Sequence, residues 1–153
     1  MISQTAEYAL RAAVVLAENH GQCLTTQRIA EAAGIPGDYL SKVLQLMNRA
    51  GLVQAQRGLH GGFRLLRDPD ELTLLDVVGA VEQLPRYTRC PLGRPEHEST
   101  LCRLHHRLDA AMAAVESALA QTTVAQVIPE QPSLRAQPAP TPTDATQPTA
   151  EKG

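Results

Sequence analysis

Apolar residues recur at helical spacing from the start of the chain. Ala6, Ala9, Leu10, Ala13, Val14, Leu16 and Ala17 predict an amphipathic helix over residues 3–18, with Glu7 in its first turn, where a carboxylate suits the helix dipole. Asn19-His20-Gly21 ends it. A second, short helix is expected over residues 27–33, capped by Thr25-Thr26 and stopped by Gly34. Ile35-Pro36-Gly37 is a breaker, and Asp38 is the expected cap of a third helix carrying Tyr39, Leu40, Val43, Leu44 and Met47, with Gly51 past its end. Residues 52–57 and 63–66 flank Gly58-Leu59-His60-Gly61-Gly62, a hairpin signal.

Further on, Thr73 and Asp76 are spaced as a capping box for a short helix reaching about Glu82, with Leu74, Leu75, Val77, Val78 and Val81 apolar. Pro85, Pro91, Gly93 and Pro95 exclude regular structure up to about Thr100. A long helix over residues 101–127 is expected next, because Leu101, Leu104, Leu108, Met112, Val115 and Leu119 step by three or four residues. Such a narrow seam suits a helix shared between two copies, or one packed on its own domain. From Pro129 to Gly153, Pro, Gln, Thr and Ala dominate, a composition that predicts disorder.

The fold class is therefore mainly α: a winged helix-turn-helix with a two-stranded wing and a long C-terminal dimerisation helix. The expected organisation is a DNA-binding domain over residues 1–84, an irregular loop over 85–100, the dimerisation helix over 101–128 and a tail over 129–153. This pattern points to a DNA-binding transcription regulator that acts as a homodimer on double-stranded DNA.

Composition changes this picture little. The 43% of hydrophobic residues suffices for a core, and 3% aromatics with no Trp make that core aliphatic. A net charge of −2 does not advertise nucleic-acid binding, but DNA contact needs only a local basic patch. No apolar run is long enough for a membrane span, and Glu7 and Arg11 interrupt any leader-like stretch, so a cytoplasmic chain with no membrane partner is expected. An odd count of 3 cysteines argues against a disulfide framework and leaves metal, redox or packing roles. Cys23, apart from the others, is expected to be a small buried hydrophobe. No phosphate loop, nucleophile elbow or acid/base pair is present to suggest an enzyme.

In a helix-turn-helix the second helix reads the major groove with its N-terminal residues. Here these are Tyr39, Ser41, Lys42 and Gln45. Lys42 and nearby Arg49 read equally as solvated surface, and Tyr39 as a packing residue. Thr26 and Gln27, at a helix N-terminus, suit phosphate. Arg57 and His60 lie at the wing tip, where minor-groove or phosphate contact is expected.

Several stretches in order carry a resemblance: Thr5-Ala6-Glu7-Tyr8-Ala9-Leu10-Arg11, Ile29-Ala30-Glu31, Ile35-Pro36 followed by Tyr39-Leu40-Ser41-Lys42-Val43-Leu44, Ala50-Gly51-Leu52-Val53, Arg57-Gly58 with Gly61-Gly62-Phe63-Arg64-Leu65, and Leu72-Thr73-Leu74-Leu75-Asp76-Val77-Val78. Over roughly the first 85 residues the chain resembles the Rrf2 family of bacterial winged-helix regulators. The resemblance implies a dimeric operator-binding protein, usually a repressor, with its long helix crossing the partner and Arg57 as the wing arginine.

In cluster-binding members three cysteines lie between the fourth and the long helix. Cys90 and Cys102 match the outer two; Glu96 stands at the middle position, beside His97. His105 adds a Cys-x-x-His pair with Cys102. The resemblance implies an iron–sulfur cluster on Cys90 and Cys102, with His105, His97 or a partner's Glu7 completing it. Mixed thiolate and imidazole ligation favours a two-iron, two-sulfur centre. The same residues also suit tetrahedral zinc, thiol redox sensing, or a cofactor-free regulator or interaction adaptor.

Overall fold

A computed structural model describes residues 2–91 and 101–129. Glu96, His97 and the tail beyond Pro129 lie outside the described residues. The elements are α1 (Gln4–Glu18), α2 (Thr26–Ala33), α3 (Gly37–Arg49), β1 (Val53–Gln56), β2 (Gly62–Leu65), α4 (Leu74–Gly79), α5 (Arg103–Gln121) and α6 (Val124–Val127). The winged helix-turn-helix is thus present.

The buried side of α1 is built almost wholly from small residues: Ala6, Ala9, Ala12 and Ala13 are all fully buried, beside Leu16. Small side chains let α2, α3 and α4 approach its backbone closely. Ser3 caps α1 by accepting from the Ala6 N–H at 3.1 Å. Thr25 caps α2 in the same way through Arg28, which places Thr26 inside the helix rather than in the cap. Gly34 takes the left-handed conformation (φ 65°) and turns the chain toward α3.

Asp38 is not the cap of α3. That place belongs to Pro36, whose carbonyl accepts from the N–H groups of Tyr39 and Leu40 at 3.0 Å each. The helix begins two residues earlier than the side-chain signal implies because Gly37 tolerates the first helical position, and Asp38 then faces the dipole in the first turn.

The wing pairs β1 antiparallel to β2 with Val53 opposite Leu65 and Gln56 opposite Gly62. Leu24, just ahead of the α2 cap, joins it: its N–H donates to the Phe63 carbonyl at 2.9 Å and its carbonyl accepts from the Phe63 N–H at 2.8 Å. This approach needs Gly62, where φ is 149° and an added Cβ would lie 2.2 Å from the Leu24 carbonyl oxygen.

The C-terminal half departs from expectation. Leu101 precedes α5, which starts at Arg103 and stops at Gln121 instead of running to Val127. Thr122 is extended, the Leu74 N–H donates to its carbonyl at 2.9 Å, and the Val124 N–H donates to Leu72 at 2.8 Å. Two adjacent β-branched threonines weaken the helix, and pairing with residues 72–74 buries Val124 completely, worth about 1.5–3 kcal/mol. The capping box of Thr73 and Asp76 is present, with both bonds at 3.1 Å.

The expected seam also splits. Met112 and Leu119 are half-buried, whereas Leu104, Leu108 and Val115 are 59%, 40% and 41% exposed. Replacing Gly62 with Ala should destabilise the fold by about 2 kcal/mol, read by urea unfolding, because the clash is with backbone that cannot rotate away. An unchanged midpoint would mean the Leu24 contact is dispensable.

Candidate DNA-reading face and thiol–imidazole site

On α3, Leu40, Val43, Leu44 and Met47 are fully buried, so Tyr39, Ser41, Lys42 and Gln45 are all exposed. Tyr39 has two neighbourhoods. Its ring packs edge-on against Tyr8 of α1, centroids 5.4 Å apart, yet it stays 40% exposed. Ser41 donates its hydroxyl to the Gly37 carbonyl at 3.1 Å, and Gln27 donates to Glu31 at 3.0 Å, so both would exchange an intrahelical partner for another ligand. Thr26 is half-buried. Arg57 and His60 are exposed in the hairpin turn, on either side of Leu59, which is 96% exposed. Arg64 on β2 is engaged twice by Gln54, at 3.1 and 2.8 Å. Cys23 is half-buried rather than a core hydrophobe; its thiol lies 3.2 Å from the amide oxygen of Gln56, the last residue of β1.

Cys90, Cys102 and His105 converge at the start of α5. Their ligand atoms all lie within 4.8 Å of one another. Sγ of Cys102 is 3.1 Å and Sγ of Cys90 3.6 Å from Nδ1 of His105. Cys102 is the N-cap residue of α5. The backbone N–H of His105 above all, then the His105 ring, Cys90 and the Leu104 N–H, bring its thiol down from 9.0 to about 7. His105 is the buried residue of α5, and the Tyr87 ring lies against it at 5.2 Å.

A group of charged residues not anticipated from the sequence borders this site. Arg86 donates from Nε and Nη2 to the two oxygens of Asp109, at 2.8 and 3.0 Å, and from Nη1 to Glu116 at 2.8 Å. The Tyr87 N–H donates to Asp109 at 3.0 Å. The Arg86 guanidinium, then the Tyr87 N–H, hold the Asp109 carboxyl down at about 2. His105, Asp109 and Glu116 share one face of α5, a spacing visible in the sequence; their partner Arg86 carries no local signal.

Glu7 is not part of this group within one chain. It pairs with Arg11 one turn along α1, and Arg11 lies over the Tyr8 ring. Two thiols and an imidazole are the donor set expected of zinc or an iron–sulfur centre, and a thiol already poised to ionise suits either.

Residues 2–130 match the Rrf2 family, described as iron-dependent transcriptional regulators. The chain belongs to the Rrf2 family. It is 30% identical over 132 residues to the HTH-type transcriptional regulator NsrR of Bacillus licheniformis, covering 84% of this chain and 92% of that one. Its fold is similar to CymR, the global cysteine regulator of B. subtilis (TM-score 0.69, 25% identity, 84% of this chain and 95% of that one). It is also similar to T. potens IscR (TM-score 0.68, 23% identity, 82% and 84%). The Rrf2 chain is therefore a transcriptional regulator with a DNA-binding fold and not an enzyme. Among its described residues no helix is long and apolar enough to cross a membrane.

In the metal-free protein, alkylation of Cys102 should follow a titration centred near pH 7 rather than at the ordinary thiol value of 9.0. The sign follows from the lowered value: the thiolate persists at lower pH, so the rate at pH 8 is already near its plateau. His105→Ala should move the midpoint up only part of the way, since the backbone N–H at that position remains. Mass-spectrometric pH–rate profiles measure it; a midpoint near 9 would refute the lowering of this thiol by the start of α5.

Proposed function

We propose that this Rrf2-family regulator is a cytoplasmic homodimer, a repressor, that binds a two-fold operator in double-stranded DNA and whose affinity is set by a metal centre on Cys90, Cys102 and His105. The observation that carries the sensing half is the convergence of those three donors within 4.8 Å at the foot of α5. The family's description as iron-dependent favours an iron–sulfur cluster, of the two-iron, two-sulfur kind given the imidazole. His97, or Glu7 from a second copy, supplies the remaining position. Bound there, such a centre would supply a state that responds to redox or nitrosative signals.

The dimer reading is supported by the outer face of α5. Leu104, Leu108, Ala111, Val115 and Ala118 form an exposed apolar line at coiled-coil spacing. Because the ligands stand at the base of that same helix, holding them in one arrangement biases how two winged domains are spaced, and that difference is what a ligand-controlled switch requires. On the DNA side, Lys42, Ser41 and Gln45, with Tyr39, read the major groove, Thr26 and Gln27 face phosphate, and Arg57 and His60 reach from the wing.

A second reading is a single zinc ion. Bonds of about 2.3 Å to sulfur and about 2.0 Å to nitrogen place tetrahedral S and N vertices roughly 3.5 Å apart. The separations of 3.1 and 3.6 Å around His105 are close to that.

Anaerobic reconstitution of the parent and of Cys90→Ala, Cys102→Ala and His105→Ala, with iron, sulfide and zinc analysis and operator binding, tests both. Iron and sulfide are expected in the parent and lost in the cysteine variants. Iron-free protein with stoichiometric zinc would select the second reading, and equal operator binding by metal-free and loaded parent would remove the sensing role. Lys42→Ala and Arg57→Ala should each weaken operator binding by about 1–3 kcal/mol where a base contact is lost; parental affinity in both would show the interface to be misplaced. Leu108→Asp should convert the dimer to monomer in sedimentation, and an unchanged dimer would move the interface off α5.

A further inference from the structure

Cys102 and His105 are positioned by α5 itself, but Cys90 is not. It ends a stretch, residues 82–90, that has neither helix nor strand. Its sulfur lies 3.6 Å from the His105 ring, and four residues earlier the same stretch is tied to α5 by a set of contacts. Arg86 grips both oxygens of Asp109 and reaches Glu116, the next N–H donates to Asp109 as well, and the Tyr87 ring then lies on His105. All of these partners lie on the α5 face that presents the imidazole.

We propose that Arg86 is the positioning residue of the thiol–imidazole centre: its two-pronged hold on Asp109, extended to Glu116, keeps Cys90 within reach of Cys102 and His105 and thereby sets how tightly the centre retains a metal. This rests on reading the three donors as a metal centre. A guanidinium is required because its planar fork takes both carboxylate oxygens while a third nitrogen reaches Glu116; an ammonium is a point charge and cannot do both in fixed geometry. An exposed ion pair contributes little to global stability, so the clamp's effect is expected at the ligand it carries rather than in the fold. Residues that orient ligands in this way typically change metal affinity by about ten- to a hundredfold.

The test is titration of the full-length, reduced protein with Co2+ alone. The parent should show a sulfur-to-cobalt charge-transfer band of two-thiolate intensity. Arg86→Ala and Asp109→Asn should bind Co2+ at least about tenfold more weakly, with the band reduced toward that of Cys90→Ala, and Arg86→Lys should restore only part of the loss. In a Cys90→Ala background, adding Arg86→Ala should cost nothing further, because the clamp acts through that sulfur. Parental affinity and a two-thiolate band in Arg86→Ala would overturn the positioning role while leaving the centre intact, as would a further loss of similar size in the Cys90→Ala background. A parent with no thiolate–cobalt band would overturn the metal-centre reading, and the inference with it.

Discussion

The backbone pairing between residues 72–74 and 122–124 decides where the long helix lies. The bonds from Leu74 to Thr122 and from Val124 to Leu72 end α5, turn the chain back and lock Val124 into the core. Arg86 also holds the helix from the side, through Asp109 in its first half and Glu116 in its second. The helix lies against α4, and His105 is its buried residue. A helix held along one face keeps its other face available, and Leu104, Leu108 and Val115 remain exposed there.

A similar economy ties the wing to the helix-turn-helix. Leu24 exchanges two backbone bonds with Phe63 one residue before the Thr25 cap of α2. The hairpin is therefore anchored to the entrance of the motif as well as to α3, which it follows in sequence. The spacing between the exposed face of α3 and the wing tip depends on that anchor, and the anchor depends on a glycine at position 62. The fully buried alanine face of α1 provides the floor on which this arrangement rests.

At the thiol–imidazole site, local and long-range effects divide cleanly. The helix N-terminus lowers the Cys102 thiol and fixes its distance to His105 three residues on, an effect confined to one turn. Cys90 arrives from a different part of the chain, and its place depends on charged groups with no apolar signature. The positions of Cys102 and His105 thus follow from one helix, whereas that of Cys90 depends on packing between segments.

The helix-turn-helix, the hairpin and the Thr73–Asp76 cap were legible because each is written in neighbouring residues: a hydroxyl before a helix, a glycine after one, apolar positions spaced by three or four. The buried set Leu40, Val43, Leu44 and Met47, and with it the exposed set Tyr39, Ser41, Lys42 and Gln45, follows from that spacing alone. The Cys-x-x-His pair is local in the same sense. Tertiary structure decided the rest. Continuing periodicity predicted helix through Thr122 and Thr123, but a strand-like partner distant in sequence offered their backbone better bonds and Val124 a buried place. Pro36 displaced Asp38 as the cap because Gly37 takes the first helical position and the Pro36 carbonyl accepts the first helical N–H bonds. The stripe on α5 is half-buried at Met112 and Leu119 and exposed at Leu104, Leu108 and Val115, and Arg86 found Asp109 and Glu116 across the fold. Periodicity records which side chains avoid water; it does not record which distant backbone or charge will meet them, because that depends on how the elements pack in three dimensions.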